Sequence, residues 1–131
     1  MQDRRPAMNT FPLFYARILV GGDDRRFITQ AHRSLKTAGF RVESAEDYDH
    51  LETFWHMHLH EIILLAVSRG DSLPQARAIA RRLARHHTRP FVGYVADATL
   101  HGGDLEDEAV FPVTVEVLPK ALREFFGPQM R

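Results

Sequence analysis

Glu61-Ile62-Ile63-Leu64-Leu65-Ala66-Val67 is, after its first residue, an unbroken apolar run rich in branched side chains, bounded by His60 and by Ser68-Arg69-Gly70-Asp71. A strand with one face in water alternates apolar and polar residues. This run does not alternate, so it reads as a strand covered on both faces, as in a parallel sheet. It is too short for a globular helix, and its flanks are turn-like. The chain on either side should therefore supply helices to cover it.

On the amino-terminal side, Arg17-Ile18-Leu19-Val20 predicts a strand running into the turn cluster Gly21-Gly22-Asp23-Asp24. Phe27, Ile28, Ala31, Leu35 and Ala38 then recur at helical spacing, with Arg25, Arg26, Arg33 and Lys36 outside and Gly39 placed to end the helix. Phe40-Arg41-Val42-Glu43 alternates like a strand with one open face. Ser44-Ala45-Glu46-Asp47 has the form of a capping box, opening a helix that turns Tyr48, Leu51, Phe54 and Trp55 inward and fades near His58. Beyond the central run, Ser72-Leu73-Pro74-Gln75 predicts a second cap and a helix with Ala76, Ile79, Ala80 and Leu83 on one stripe. Phe91-Val92-Gly93-Tyr94-Val95 is the next strand. The stretch from Asp97 to Glu108 is irregular, with Gly102-Gly103 and four acids after Thr99. Val113 to Leu118 alternates and predicts a last strand, followed by a brief helix from Pro119 to Phe126. Strand and helix alternate five times, an order that demands parallel strands with helices on both faces. The expectation is an α/β, doubly wound, five-stranded parallel sheet over residues 17–127, with an amino-terminal arm at 1–16 and a tail at 128–131.

At 131 residues and 15.1 kDa the chain is one domain in size, and its hydrophobic fraction of 44% is ordinary for a globular protein. It has no cysteine, which excludes disulfides, thiolate metal sites and a thiol nucleophile. No run approaches the length of a membrane-spanning helix, and the first residues lack the apolar stretch of a signal peptide, so the expected location is cytoplasmic. Formal net charge is zero, which argues against nucleic acid or membrane as a general partner.

The order of elements, together with several phrases, resembles the receiver domain of bacterial response regulators, of flavodoxin-like (βα)5 topology. The phrases are Ile18 to Asp24, Leu35 to Ala45 and Ile62-Ile63-Leu64-Leu65, and the resemblance covers Arg17 to about Phe126. It implies a phosphorylation pocket at the carboxyl ends of the strands. There, two acids and an acceptor aspartate hold Mg²⁺, a hydroxyl senses the phosphoryl group and a lysine neutralises it. Aligned on those positions, the acidic pair falls on Gly22 and Asp23 (with Asp24 adjacent), the acceptor on Ala66, the hydroxyl on Val95 and the lysine on Leu118. The strand-five aromatic falls on Val115. A methyl group cannot be phosphorylated, so the resemblance implies a pseudo-receiver with no catalytic residue, no cofactor and no metal. Its action is then through protein partners in a signalling pathway, with a homodimer as one candidate assembly. The expected surface is Val115, Leu122, Phe125 and Phe126 at the carboxyl-terminal helix, where Phe126→Ala should weaken association at modest cost in stability.

Three other features stand apart from that resemblance. Arg77, Arg81 and Arg85 repeat at i, i+4 and i+8, forming a basic stripe for an acidic ligand or nucleic acid if it is more than the wet face of a helix. His56, His58 and His60 would share a face only in an extended segment, so metal ligation by all three is not expected. Gly21-Gly22-Asp23-Asp24 lacks the spaced glycines and lysine of a phosphate loop.

Overall fold

The computed structural model describes residues 15–97 and 108–126. Its elements in chain order are β1 (Arg17–Gly22), α1 (Arg25–Thr37), β2 (Arg41–Ser44), α2 (Tyr48–His58), β3 (Ile62–Val67), α3 (Leu73–Ala84), β4 (Phe91–Ala96), β5 (Val110–Phe111) and α4 (Leu118–Phe126). A single turn of 3₁₀ helix at Gly70–Ser72 leads into α3. The strands form one parallel sheet in the order β2-β1-β3-β4-β5. The central run lies in the middle of it, and every residue of β3 is buried. That is the burial its lack of alternation predicts.

Two apolar cores lie on opposite faces of the sheet. One joins Ile18, Val20, Ile62 and Leu64 to Ile28, Ala31 and Leu35 of α1 and to Leu122 and Phe126 of α4. The other joins Leu19, Ile63 and Leu65 to Leu51 and Trp55 of α2 and to Ala76, Ile79 and Leu83 of α3. The period of two along each strand sends successive side chains to alternate cores. Two glycines allow close approach: a Cβ at Gly21 would lie 2.3 Å from Leu51 Cδ1, and one at Gly93 would lie 2.7 Å from the Phe111 ring.

Helix starts differ from the sequence expectation in which residue caps them. Ser44 pairs with Val20 as the last residue of β2, so the cap of α2 moves to Asp47, which accepts the His50 N–H at 2.9 Å. Ser72 lies in the 3₁₀ turn and makes no side-chain cap of α3. α1 is capped by Asp24, whose carboxylate accepts the N–H groups of Arg26 and Phe27. Gly39 takes φ 100° after α1, as a terminating glycine should.

The last strand is misplaced by the sequence pattern. β5 is Val110–Phe111, and the alternating residues from Val113 onward form a loop and turn before α4. Val113 is 37% and Val117 44% exposed, whereas Phe111 is buried over Gly93. Pairing of β5 with Tyr94 and Val95, followed by Pro112, fixes the strand earlier in the chain. The irregular segment between β4 and β5 lies largely outside the described residues, as do the tail and all of the amino-terminal arm except Tyr15 and Ala16.

Candidate functional site

The carboxyl edge of the sheet is where this topology places ligands. Across that edge the strand register aligns Gly22 with Ala66, Ala66 with Val95, and Val95 with Phe111. Gly22, Ala66 and Val95 are the positions picked out in the sequence, brought into one row. The fourth member is Phe111 rather than Leu118, which is the first residue of α4 and cannot end a strand. Phe111 was missed because the alternation after Pro112 outweighed two strand residues before it; the signal was the proline directly following Val110-Phe111.

The row is sealed. Ala66, Val95, Phe111 and Leu118 belong to one buried cluster, and Ala66 is 1% exposed. A Cβ at Gly22 would stand 2.4 Å from the Ala66 carbonyl oxygen and 2.7 Å from its methyl carbon, so no side chain larger than hydrogen fits there. The Ala66 carbonyl accepts a hydrogen bond from the Tyr48 hydroxyl at 2.6 Å. Burial, reinforced by the Asp23 carboxylate, holds the Tyr48 phenol well above its ordinary pKa.

Beside the row opens a cleft of about 360 Å³ containing Asp23, Glu46, Asp47 and Asp49 together with Arg25 and Arg69. Asp23 is not a free acid in it. Its carboxylate accepts the Ser68 N–H at 2.9 Å and the Arg69 N–H at 3.0 Å, and hydroxyls of Ser72 and Ser68 add to these. Partial burial opposes its ionisation, but the donors outweigh that and hold its pKa below the ordinary carboxylate value. Asp23 is thus a brace between the end of β1 and the loop after β3. Asp24, the other acid of the predicted pair, is committed to capping α1.

The expected partner surface divides. Leu122 and Phe126 are core residues, Phe126 being 1% exposed, so they offer nothing to a partner. Four residues apart on α4, the two share its inward face, one turn on from Leu118. Phe125 is half-buried and packs its ring against Phe91, Phe111 and Phe126. Val115 is half-buried in the turn before α4, and its carbonyl accepts the Ser34 hydroxyl at 2.6 Å. The apolar side chains this face exposes are Val113 and Val117.

The arginine stripe on α3 is partly engaged. Arg77 is half-buried, and Arg81 and Arg85 are exposed. Burial and the Glu108 carboxylate push the Tyr94 phenol up to about 12, with Arg77 and Arg81 acting in the opposite direction. Neighbouring Arg82 spans to α2, with Nη2 2.9 Å from Glu52. The three histidines point different ways. His60 is buried, its Nε2 2.6 Å from Glu43 and its Nδ1 without a partner. His58 packs against Phe54 and His60, whereas His56 faces Trp55 and His86.

No family model matches the chain, and no curated protein matches it either. Solved structures do. A response regulator from Thermotoga maritima superposes with TM-score 0.66 at 14% identity, over 85% of this chain and 97% of that one. An orphan response regulator of H. pylori gives 0.60 at 15% identity, over 92% and 100%. The pseudo-receiver domain of the CikA protein gives 0.56 at 17% identity, over 86% and 98%. The chain has the fold of a response-regulator receiver domain, a five-stranded parallel sheet with helices on both faces.

Proposed function

We propose that this chain is a receiver-like signalling module that works without phosphotransfer and without enzymatic activity, by binding proteins. The observation that carries this reading is the sealed row Gly22, Ala66, Val95 and Phe111. It lies at the strand ends where receiver chemistry needs an acid, an acceptor, a hydroxyl and a lysine. The donor set does not fit a receiver's Mg²⁺: Gly22 and Ala66 bring no oxygen-bearing side chain, and the Asp23 oxygens are held by backbone N–H groups. Partner binding then belongs to surfaces rather than to the pocket; Val113 and Val117 before α4 are exposed apolar groups suited to it, as are Met57 and Leu59 at the end of α2.

Two measurements test this. Incubation with radiolabelled acetyl phosphate and Mg²⁺ should leave the protein unlabelled, and its amide NMR spectrum should not respond to beryllofluoride. Stable label on Asp23 or Asp71 would overturn the proposal. Capture of proteins from cell extract should survive nuclease and be lost on Val117→Lys with the fold intact by circular dichroism. Retention that disappears with nuclease would transfer the function to the arginines of α3.

A further inference from the structure

α2 and α3 run side by side on one face of the sheet, and their facing residues repeat at the next turn. Glu52 of α2 meets Arg82 of α3, with Nη2 2.9 Å from Oε1. Four residues on in each chain segment, His56 meets His86, with ring centres 5.0 Å apart. Both imidazoles rest on the buried indole of Trp55, at 5.2 Å and 5.0 Å between ring centres. The pair is therefore anchored on a rigid element rather than carried on loose side chains.

Two further circumstances favour a cation between these rings. His56 is in the last turn of α2, and His86 follows the C-cap of α3, so both stand at the carboxyl ends of two parallel helices, where the helix dipole favours positive charge. Two imidazoles that each bind a tetrahedral ion at about 2.0–2.1 Å have ring centres roughly 5 Å apart, the separation found here. We propose that His56 and His86 form a two-imidazole site for a divalent transition metal of the zinc, nickel or copper class. Among the described residues no cluster of three or more His, Asp or Glu is arranged to hold a metal, so water or an incoming ligand fills the remaining positions. The site is separate from the sealed row and independent of the signalling proposal.

Trp55 is the chain's one tryptophan and reports directly on the pair. Titration of untagged protein with Ni²⁺ at pH 7.5 should quench its emission saturably, reversibly with EDTA. His56→Ala and His86→Ala should each weaken binding at least ten-fold, while His58→Ala and His87→Ala leave it within two-fold. Should either variant unfold, Zn²⁺ added to wild-type protein should shift the imidazole proton resonances of His56 and His86 together and spare those of His58. Linear quenching, equal quenching in His56→Ala, or shifts spread over all eight histidines would overturn the site and leave the pair as edge-on ring packing only.

Discussion

His60 is a buried imidazole with one satisfied nitrogen. Its Nε2 faces the Glu43 carboxylate at 2.6 Å, while Nδ1 has no partner. The neutral ring with its proton on Nε2 fits this arrangement; protonating Nδ1 would bury a donor with nothing to accept it. Burial accordingly lowers the His60 pKa, more than Glu43 raises it. A depressed native pKa means that, between that value and about 6.5, the unfolded chain holds the extra proton. Stability should thus rise with pH through this interval and level off above it. Urea unfolding between pH 5 and pH 7.5 checks the slope, and His60→Leu should reduce it. Asp23 acts with the same sign at lower pH. Its pKa is lowered in the native state, so its contribution is present above the ordinary carboxylate value of about 3.9 and lost as pH falls through the native one. Asp23→Ala should cost about 1–2 kcal/mol at neutral pH, from hydrogen bonds to a charged acceptor. At Ala66, introducing an acid should not restore a pocket. Ala66→Asp would bury an unpaired carboxyl among Val95, Phe111 and Leu118, costing at least about 3 kcal/mol, and should remain unlabelled by acetyl phosphate.

At the level of elements, α4 and the end of α2 make separable predictions. Phe126 fills the core between α4 and the sheet, so Phe126→Ala should destabilise by about 3–5 kcal/mol rather than report on association, with denaturant titration as the measure. Leu59 closes α2 at φ 51°, a left-handed conformation that a branched residue adopts only at a cost. It is 47% exposed, so Leu59→Gly gives up little burial and should stabilise by about 0.5–1 kcal/mol. These elements also mark where the sequence was legible. β3 could be read because burial on both faces leaves a pattern in the residues themselves. β5 could not, because alternating valines suit a strand and a half-exposed turn equally, and the choice falls to how Phe111 fits over Gly93. The caps failed for a related reason. Ser44 and Asp47 are both good capping residues, and only the pairing of Ser44 with Val20 decides between them.

For the molecule as a whole, parallel strands with helices on both faces followed from the alternating elements, whereas the topology and the row at the carboxyl edge, apart from one member, followed from the resemblance to receiver domains. The pairings that no spacing could reveal join distant segments: Asp23 to Ser68, Tyr48 to Ala66, His60 to Glu43, His56 to His86. The central position of β3 also bears on how the chain is made. During synthesis β1 has only the short, exposed β2 for a neighbour until Val67 has left the ribosome. Two strands alone cannot cover the faces of either core. Once β3 arrives, three strands with α1 and α2 can collapse together, and β4 and β5 add to an edge that already exists. Residues 17–67 should therefore stay open to protease in nascent chains that end near Val67, and gain protection in a single step soon after.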